Sequence, residues 1–183
     1  MTVLLFGAAT SGMAQQSVAA VTKQLVGVWE MIVPDESSTD EGKTQVVYNL
    51  TLSSDLCLTL KITIEMTMNI NDSGYQNVVN VAYPSTIPGV WIVPDDPTLL
   101  RIVMDGTIQT AAPSIRAKSE TTEQDRQVLS AVRQTFAEEK NDWYNTIAPL
   151  AQLAEDMHIC RLTATELWLG DKPDAPEFKF TRK

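Results

Sequence analysis

The side chains able to do chemistry are few and spread along the chain. Neighbouring carboxylates occur at Asp95-Asp96, Glu138-Glu139 and Glu155-Asp156, and such a pair can serve general acid-base work when both members face one space. Adjacent strand residues face opposite sides, so Asp95 and Asp96 are poorly placed for a shared site, and acidic loops of this kind serve solubility. His158 is the sole histidine, which leaves no histidine dyad and no His-based metal site within one chain. A strand histidine with its hydrogen bonds satisfied is expected there. Asn69-Ile70-Asn71-Asp72-Ser73-Gly74 carries oxygen side chains at alternate places and Gly at the sixth, as a calcium loop does. The twelfth place holds Asn80 and not a bidentate Glu, so a hairpin turn is the better reading. There is no phosphate loop, Gly-x-Ser-x-Gly elbow or Cys-x-x-Cys. These observations point to a non-enzymatic protein needing neither cofactor nor metal.

Charge and cysteine usage narrow the partners. A formal net charge of -9 repels phosphate backbones and anionic lipid surfaces, which disfavours nucleic acid and membrane. The apolar run Val3 to Ala9, followed by small residues at Gly12 and Ala14, has the form of a signal peptide over residues 1–14 with the mature chain starting at Gln15. An exported protein, periplasmic or extracellular, is therefore expected. An oxidising compartment permits a bridge between Cys57 and Cys160, the only cysteines. Cys57 falls on the polar face of its strand and Cys160 in a mostly apolar segment, so two free thiols are the alternative.

The elements that must position any site are strands. Cys57 to Ile70 alternates throughout, with Leu58, Leu60, Ile62, Ile64, Met66, Met68 and Ile70 on one face and polar residues on the other. Extended, such a strand runs on the order of 45 Å, far beyond the usual length, and one that long and one-sided has to coil around a core. Leu25 to Val33, with Gly27 for close approach and Trp29 as an apolar anchor, reads as a first strand. An acidic loop from Asp35 to Lys43 leads to a strand over Thr44 to Ser53, which pairs as a hairpin with the long one. Further strands are predicted over Tyr75 to Tyr83, Gly89 to Val93 after the prolines at 84 and 88, Thr98 to Met104, Thr107 to Ala111 across an Asp105-Gly106 hairpin turn, Met157 to Leu162, Glu166 to Gly170 and Glu177 to Arg182. From Thr121 to Ala148 the apolar period lengthens to three or four, with Thr121 and Gln124 as a capping box, a break near Asn141 and Pro149 as a stop. The expectation is one mainly β domain over residues 15–183, an up-and-down antiparallel β-barrel of about eight strands with a helical insertion over about 121–148, before the last strands.

The segments LVGVWEM, PGVWIVPDDPTLLRIV and ICRLTATELWLG, each in a run of hairpins, resemble the small exported lipocalin-like proteins of Gram-negative bacteria. The resemblance implies that Gly27-Val28-Trp29 opens the first barrel strand. Animal lipocalins place their helix after the final barrel strand, unlike this chain, and their second and third motifs are not recognisable here. The third includes a late Arg that stacks on the first-strand Trp, a place Arg182 or Arg161 could fill. Trp29 is expected to plug the narrow end of the barrel, with Gly27 beside it. An eight-stranded interior is either packed by side chains or wide enough for one small ligand. Tyr48, Ile64, Met66, Met68 and Tyr83 are the lumen residues suited to an apolar or amphipathic molecule. The alternative is a filled barrel that offers its helical insert or loops to another exported protein.

Overall fold

A computed structural model of the chain describes residues 16–35, 42–72, 74–138 and 140–183. The segment read as a signal peptide, and most of the acidic loop between Asp35 and Lys43, lie outside the described residues. In chain order the elements are α1 (Val18–Leu25), β1 (Gly27–Pro34), β2 (Gly42–Leu52), β3 (Cys57–Asp72), β4 (Tyr75–Ile92), β5 (Leu99–Met104), β6 (Gln109–Thr110), β7 (Ser114–Ala117), α2 (Glu123–Glu138), α3 (Lys140–Ile147), a short 3-10 helix (Ala148–Gln152), β8 (Ala154–Leu162), β9 (Glu166–Gly170) and β10 (Phe178–Arg182). Eight of the strands close a ring in the order β3-β2-β1-β10-β9-β8-β5-β4, with β4 pairing back to β3, every pairing antiparallel. The fold is thus barrel-like, with the helical insert ahead of the last strands.

Alternation explains the wall. Leu58, Leu60 and Ile62 of β3 point into the ring beside Leu50 and Leu52 of β2, Trp91 of β4, Leu100 and Ile102 of β5, Ile159 and Leu162 of β8, Leu167 and Leu169 of β9 and Phe180 of β10, all in one buried cluster. The β3–β4 hairpin is longer than the ring it helps close. β4 meets β5 only over Gly89–Ile92, while its earlier residues are flanked by β7 at Val79–Ala82 and β6 at Ser85–Thr86. The overhanging layer carries a second core, in which Val79, Val81 and Tyr83 meet Leu129 and Phe136 of α2, with Ile64, Met66 and Met68 packed around them. Tyr83 donates its hydroxyl hydrogen bond to the Phe136 carbonyl, and the two rings lie 5.8 Å apart.

Several boundaries differ from the sequence expectation, each for a local reason. β4 is one strand through Pro84 and Pro88, not two. Both proline carbonyls accept hydrogen bonds from the β6 side of β4, Pro84 from Ala111 N and Pro88 from Asp105 N, so the missing N–H groups also face that side and the ladder to β3 is unbroken. The Asp105-Gly106 turn does not make a β5–β6 hairpin; β6 pairs with β4. Asp105 instead accepts from Thr107 N at 2.8 Å and Thr107 Oγ1 at 2.6 Å, and this local side-chain turn redirects the chain. Leu25, expected at the start of the first strand, instead ends a helix, α1: Ser17 Oγ accepts from Ala20 N at 3.2 Å as a cap, and Val21 and Leu25 are buried. Helix α2 starts one residue later than the Thr121–Gln124 box suggests, because Thr122 and Asp125 form the reciprocal cap.

Asp125 joins the insert to the hairpin. Only 2% exposed, it accepts from Tyr75 Oη at 2.8 Å, Asn77 Nδ2 at 3.0 Å, Ser119 Oγ at 2.8 Å and the Thr121 and Thr122 amides at 3.0 and 2.9 Å. The Thr122 amide bond and the Tyr75 hydroxyl, with Ser119, hold its carboxyl well below the usual carboxylate range. A folded-state value below the unfolded one, about 3.9, means this stabilisation is complete above that pH and drains away as pH falls through the folded value. Asp125→Asn should therefore lower the melting temperature at neutral pH by about 5 °C and flatten the acid limb of the stability curve. Thermal melts by circular dichroism between neutral and strongly acid pH check both; equal slopes for the two proteins would refute the assignment.

Candidate functional site: the barrel lumen

Trp29, near the start of β1, belongs to the ring's buried core. Its indole is fully buried and its Nε1 donates to the Leu25 carbonyl at 2.7 Å, tying β1 to the last turn of α1. Arg182 of β10 is Trp29's partner in register, and its guanidinium carbon sits 4.4 Å from the indole centroid. The same guanidinium reaches the Gln24 carbonyl. Gly27 makes room for it: the backbone has φ +150, and a Cβ there would stand 3.3 Å from Arg182 Nη1. Gly27→Ala is expected to cost about 2 kcal/mol through backbone strain and displacement of the arginine. A urea titration checks this, and a loss under about 0.5 kcal/mol would show that the arginine position is not tied to Gly27.

Above this layer the ring is not filled. A cavity of about 270 Å³ lies between Met31, Tyr48, Leu50, Leu60, Ile102, Met104, Met157, Leu169 and Phe180 of the wall. Leu50 pairs with Trp29 and Tyr48 with Met31, so the space begins one layer above the indole. Leu150 and Leu153, in and just after the 3-10 helix, complete the lining, and the Met104 amide donates to the Leu153 carbonyl at 2.8 Å. Ile147 and Trp143 of α3 anchor this cover: Ile147 is buried in the ring's core, and Trp143 Nε1 donates to Ser85 Oγ at 3.1 Å. Solvent reaches the space past exposed Glu155, Asp171 and Glu177. Burial pushes the Tyr48 phenol up from its ordinary value, so it stays neutral and can donate or accept one hydrogen bond. A larger hollow, about 450 Å³, lies on the hairpin overhang and is bordered by Asn69, Asn71, Gln76, Asn77 and Lys118. The lumen is the better ligand site because its walls are apolar and converge from the ring's interior.

Of the residues expected to line the lumen, Tyr48 does so. Ile64, Met66, Met68 and Tyr83 do not: they share the right face of the hairpin but lie beyond the ring, under α2. Gly27 and Trp29 lie together at the start of β1, with Arg182 and not Arg161 on the indole; Arg161 stacks on Trp168 at 4.8 Å. The sequence reading missed Met31, Leu150, Leu153, Glu155, Asp171 and Phe180 of the cavity. Inward alternation along the first and last strands could have pointed to Met31 and Phe180, which stand in step with Trp29 and Arg182.

The other chemically capable residues stay apart. Asp96 accepts from Thr98 N at 2.9 Å and Thr98 Oγ1 at 2.6 Å, which lowers its pKa and pins a turn. Glu155 borders the cavity while its neighbour Asp156 turns outward to a two-point ion pair with Arg101, at 2.6 and 2.7 Å. His158 departs from expectation, since its buried Nδ1 has no hydrogen-bond partner among the described residues. Cys57 and Cys160 are both free thiols, one exposed and one half-buried. Asp72 pairs with Tyr75 across the Asn69–Gly74 segment, as a hairpin turn requires. Among the described residues no cluster of His, Cys, Asp and Glu is arranged to hold a metal, and no helix is long and apolar enough to cross a membrane.

No family model and no curated protein matches the sequence.

Proposed function

We propose that the protein is a lipocalin-like binding protein of an exported compartment that holds one small apolar or amphipathic molecule, non-covalently, inside its barrel. The observation that carries this reading is the cavity of about 270 Å³ lined by Met31, Leu50, Leu60, Ile102, Met104 and Phe180. It is close to the lower bound of common small-molecule sites, about 300 Å³, so the cargo is compact. Three methionines on the wall, Met31, Met104 and Met157, suit an irregular guest, because the unbranched thioether adapts its shape. The Gly27-Val28-Trp29 segment adds support, for it has the Gly-x-Trp opening of the lipocalin-like proteins that the sequence resembles, and Arg182 stacks on its indole.

A filled barrel displaying its insert to another protein is less well supported. The apolar side of α2 is spent on the hairpin, and Leu150 and Leu153 are spent on the lumen. Native mass spectrometry of the protein purified from its own host tests the proposal. A discrete non-covalent adduct that disappears on denaturation is the expected result; a bare mass, together with failure to bind any added lipophile, would overturn it.

A further inference from the structure

The lining of the lumen has a sign. Its charged members are Glu155, Asp171 and Glu177, all carboxylates, and its one other polar side chain is the neutral Tyr48. They come from β8, from the residue after β9 and from the residue before β10, so they gather on one side of the mouth. Four carboxylates elsewhere have cations, Asp156 with Arg101 at 2.6 Å, Glu166 with Arg161 at 2.7 Å, Glu123 with Arg126 at 2.8 Å and Glu30 with Lys183, while Asp96, Asp105 and Asp125 are held by hydroxyls and amides. None of the three at the mouth forms an ion pair with a described residue. Lys179, on the neighbouring strand β10, is turned away over the Trp168 ring at 5.1 Å. Like charges at the rim of an apolar concavity focus their field into it, because the low-dielectric walls screen poorly.

Resting on the reading of the lumen as a binding cavity, we propose that its ligand class is an apolar body bearing one cationic group, an alkylammonium in the simplest case. The hydrocarbon occupies the space between Met31, Leu60 and Phe180, and the ammonium stays at the mouth among Glu155, Asp171 and Glu177. There it keeps part of its hydration while gaining the rim's potential. A carboxylate of the same length meets that potential with the wrong sign, and an alcohol is indifferent to it.

Calorimetric titration of the full-length protein with octylammonium, octanol and octanoate separates these cases. At low salt octylammonium should bind about tenfold more tightly than octanol, octanoate should be the weakest, and the preference should shrink toward one at high salt. The triple variant E155Q/D171N/E177Q should lose the preference for the amine over the alcohol. Octanol bound as tightly as octylammonium would overturn the charge selection while leaving the cavity reading intact. A preference that survives the triple variant would overturn the assignment to these carboxylates. Failure of all three ligands to bind would overturn both readings.

Discussion

Replacing Met31 and Met104 together by tryptophan should abolish lipophile binding without unfolding the protein. Both side chains line the cavity, Met31 from β1 and Met104 from β5, and these strands stand four places apart around the ring, on opposite walls. Two indoles projecting toward each other take most of a space of about 270 Å³. A fluorescent guest such as phenylnaphthylamine should then lose roughly a hundredfold in affinity, equivalent to about 2.7 kcal/mol. Overpacking commonly costs about 1 to 3 kcal/mol, and here the new volume enters a void, so the melting temperature should stay within a few degrees. The single variants should show intermediate losses, which keeps the test informative even if the double variant is poorly expressed. Wild-type affinity in a folded double variant would place the binding site elsewhere.

Trp29→Ala should produce the largest loss of stability of any single substitution in the barrel. The indole is fully buried among Leu25, Leu50 and Arg182, and its N–H satisfies the Leu25 carbonyl. Removing it leaves a void, an unmatched carbonyl at the end of α1 and an arginine with no ring beneath it. Truncation of a buried aromatic costs about 3 to 5 kcal/mol, which corresponds to a drop of about 10 °C in melting temperature at this size. Trp29→Phe should recover about half of the loss, since it restores the ring but not the hydrogen bond. A drop of under about 3 °C for Trp29→Ala would show that the junction of α1 and β1 does not depend on the indole.

How far the sequence carries depends on which physical signal was local. The wall was legible because period-two alternation in β2, β3, β8, β9 and β10 is dictated residue by residue, and Trp29 was legible as an anchor because a large apolar ring beside a strand glycine has few other uses. The lumen was not, because the face shared by Leu60 and Met66 says which side is dry but not where the ring ends. That boundary is set by β4 leaving β6 and β7 for β5 at Gly89, a choice of distant partner with no mark in β3 itself. Hence Met66 and Met68, in perfect phase with Leu60, pack under α2 in place of the lumen. The prolines of β4 misled for the opposite reason: a proline breaks a strand only when its missing N–H is needed, and Pro84 and Pro88 face a side where the partner is changing. Helix α1 has only eight residues, too few turns for its Val21–Leu25 stripe to mark a helical period, so Leu25 read as the start of β1.

The most direct measurement is a crystal structure of the protein grown with phenylnaphthylamine. Density for the aromatic rings between Met31, Leu60 and Phe180, above an intact Trp29–Arg182 stack, is the expected result. A lumen closed up by its own side chains, with the probe lodged on the outside of the barrel or under α2, would contradict it.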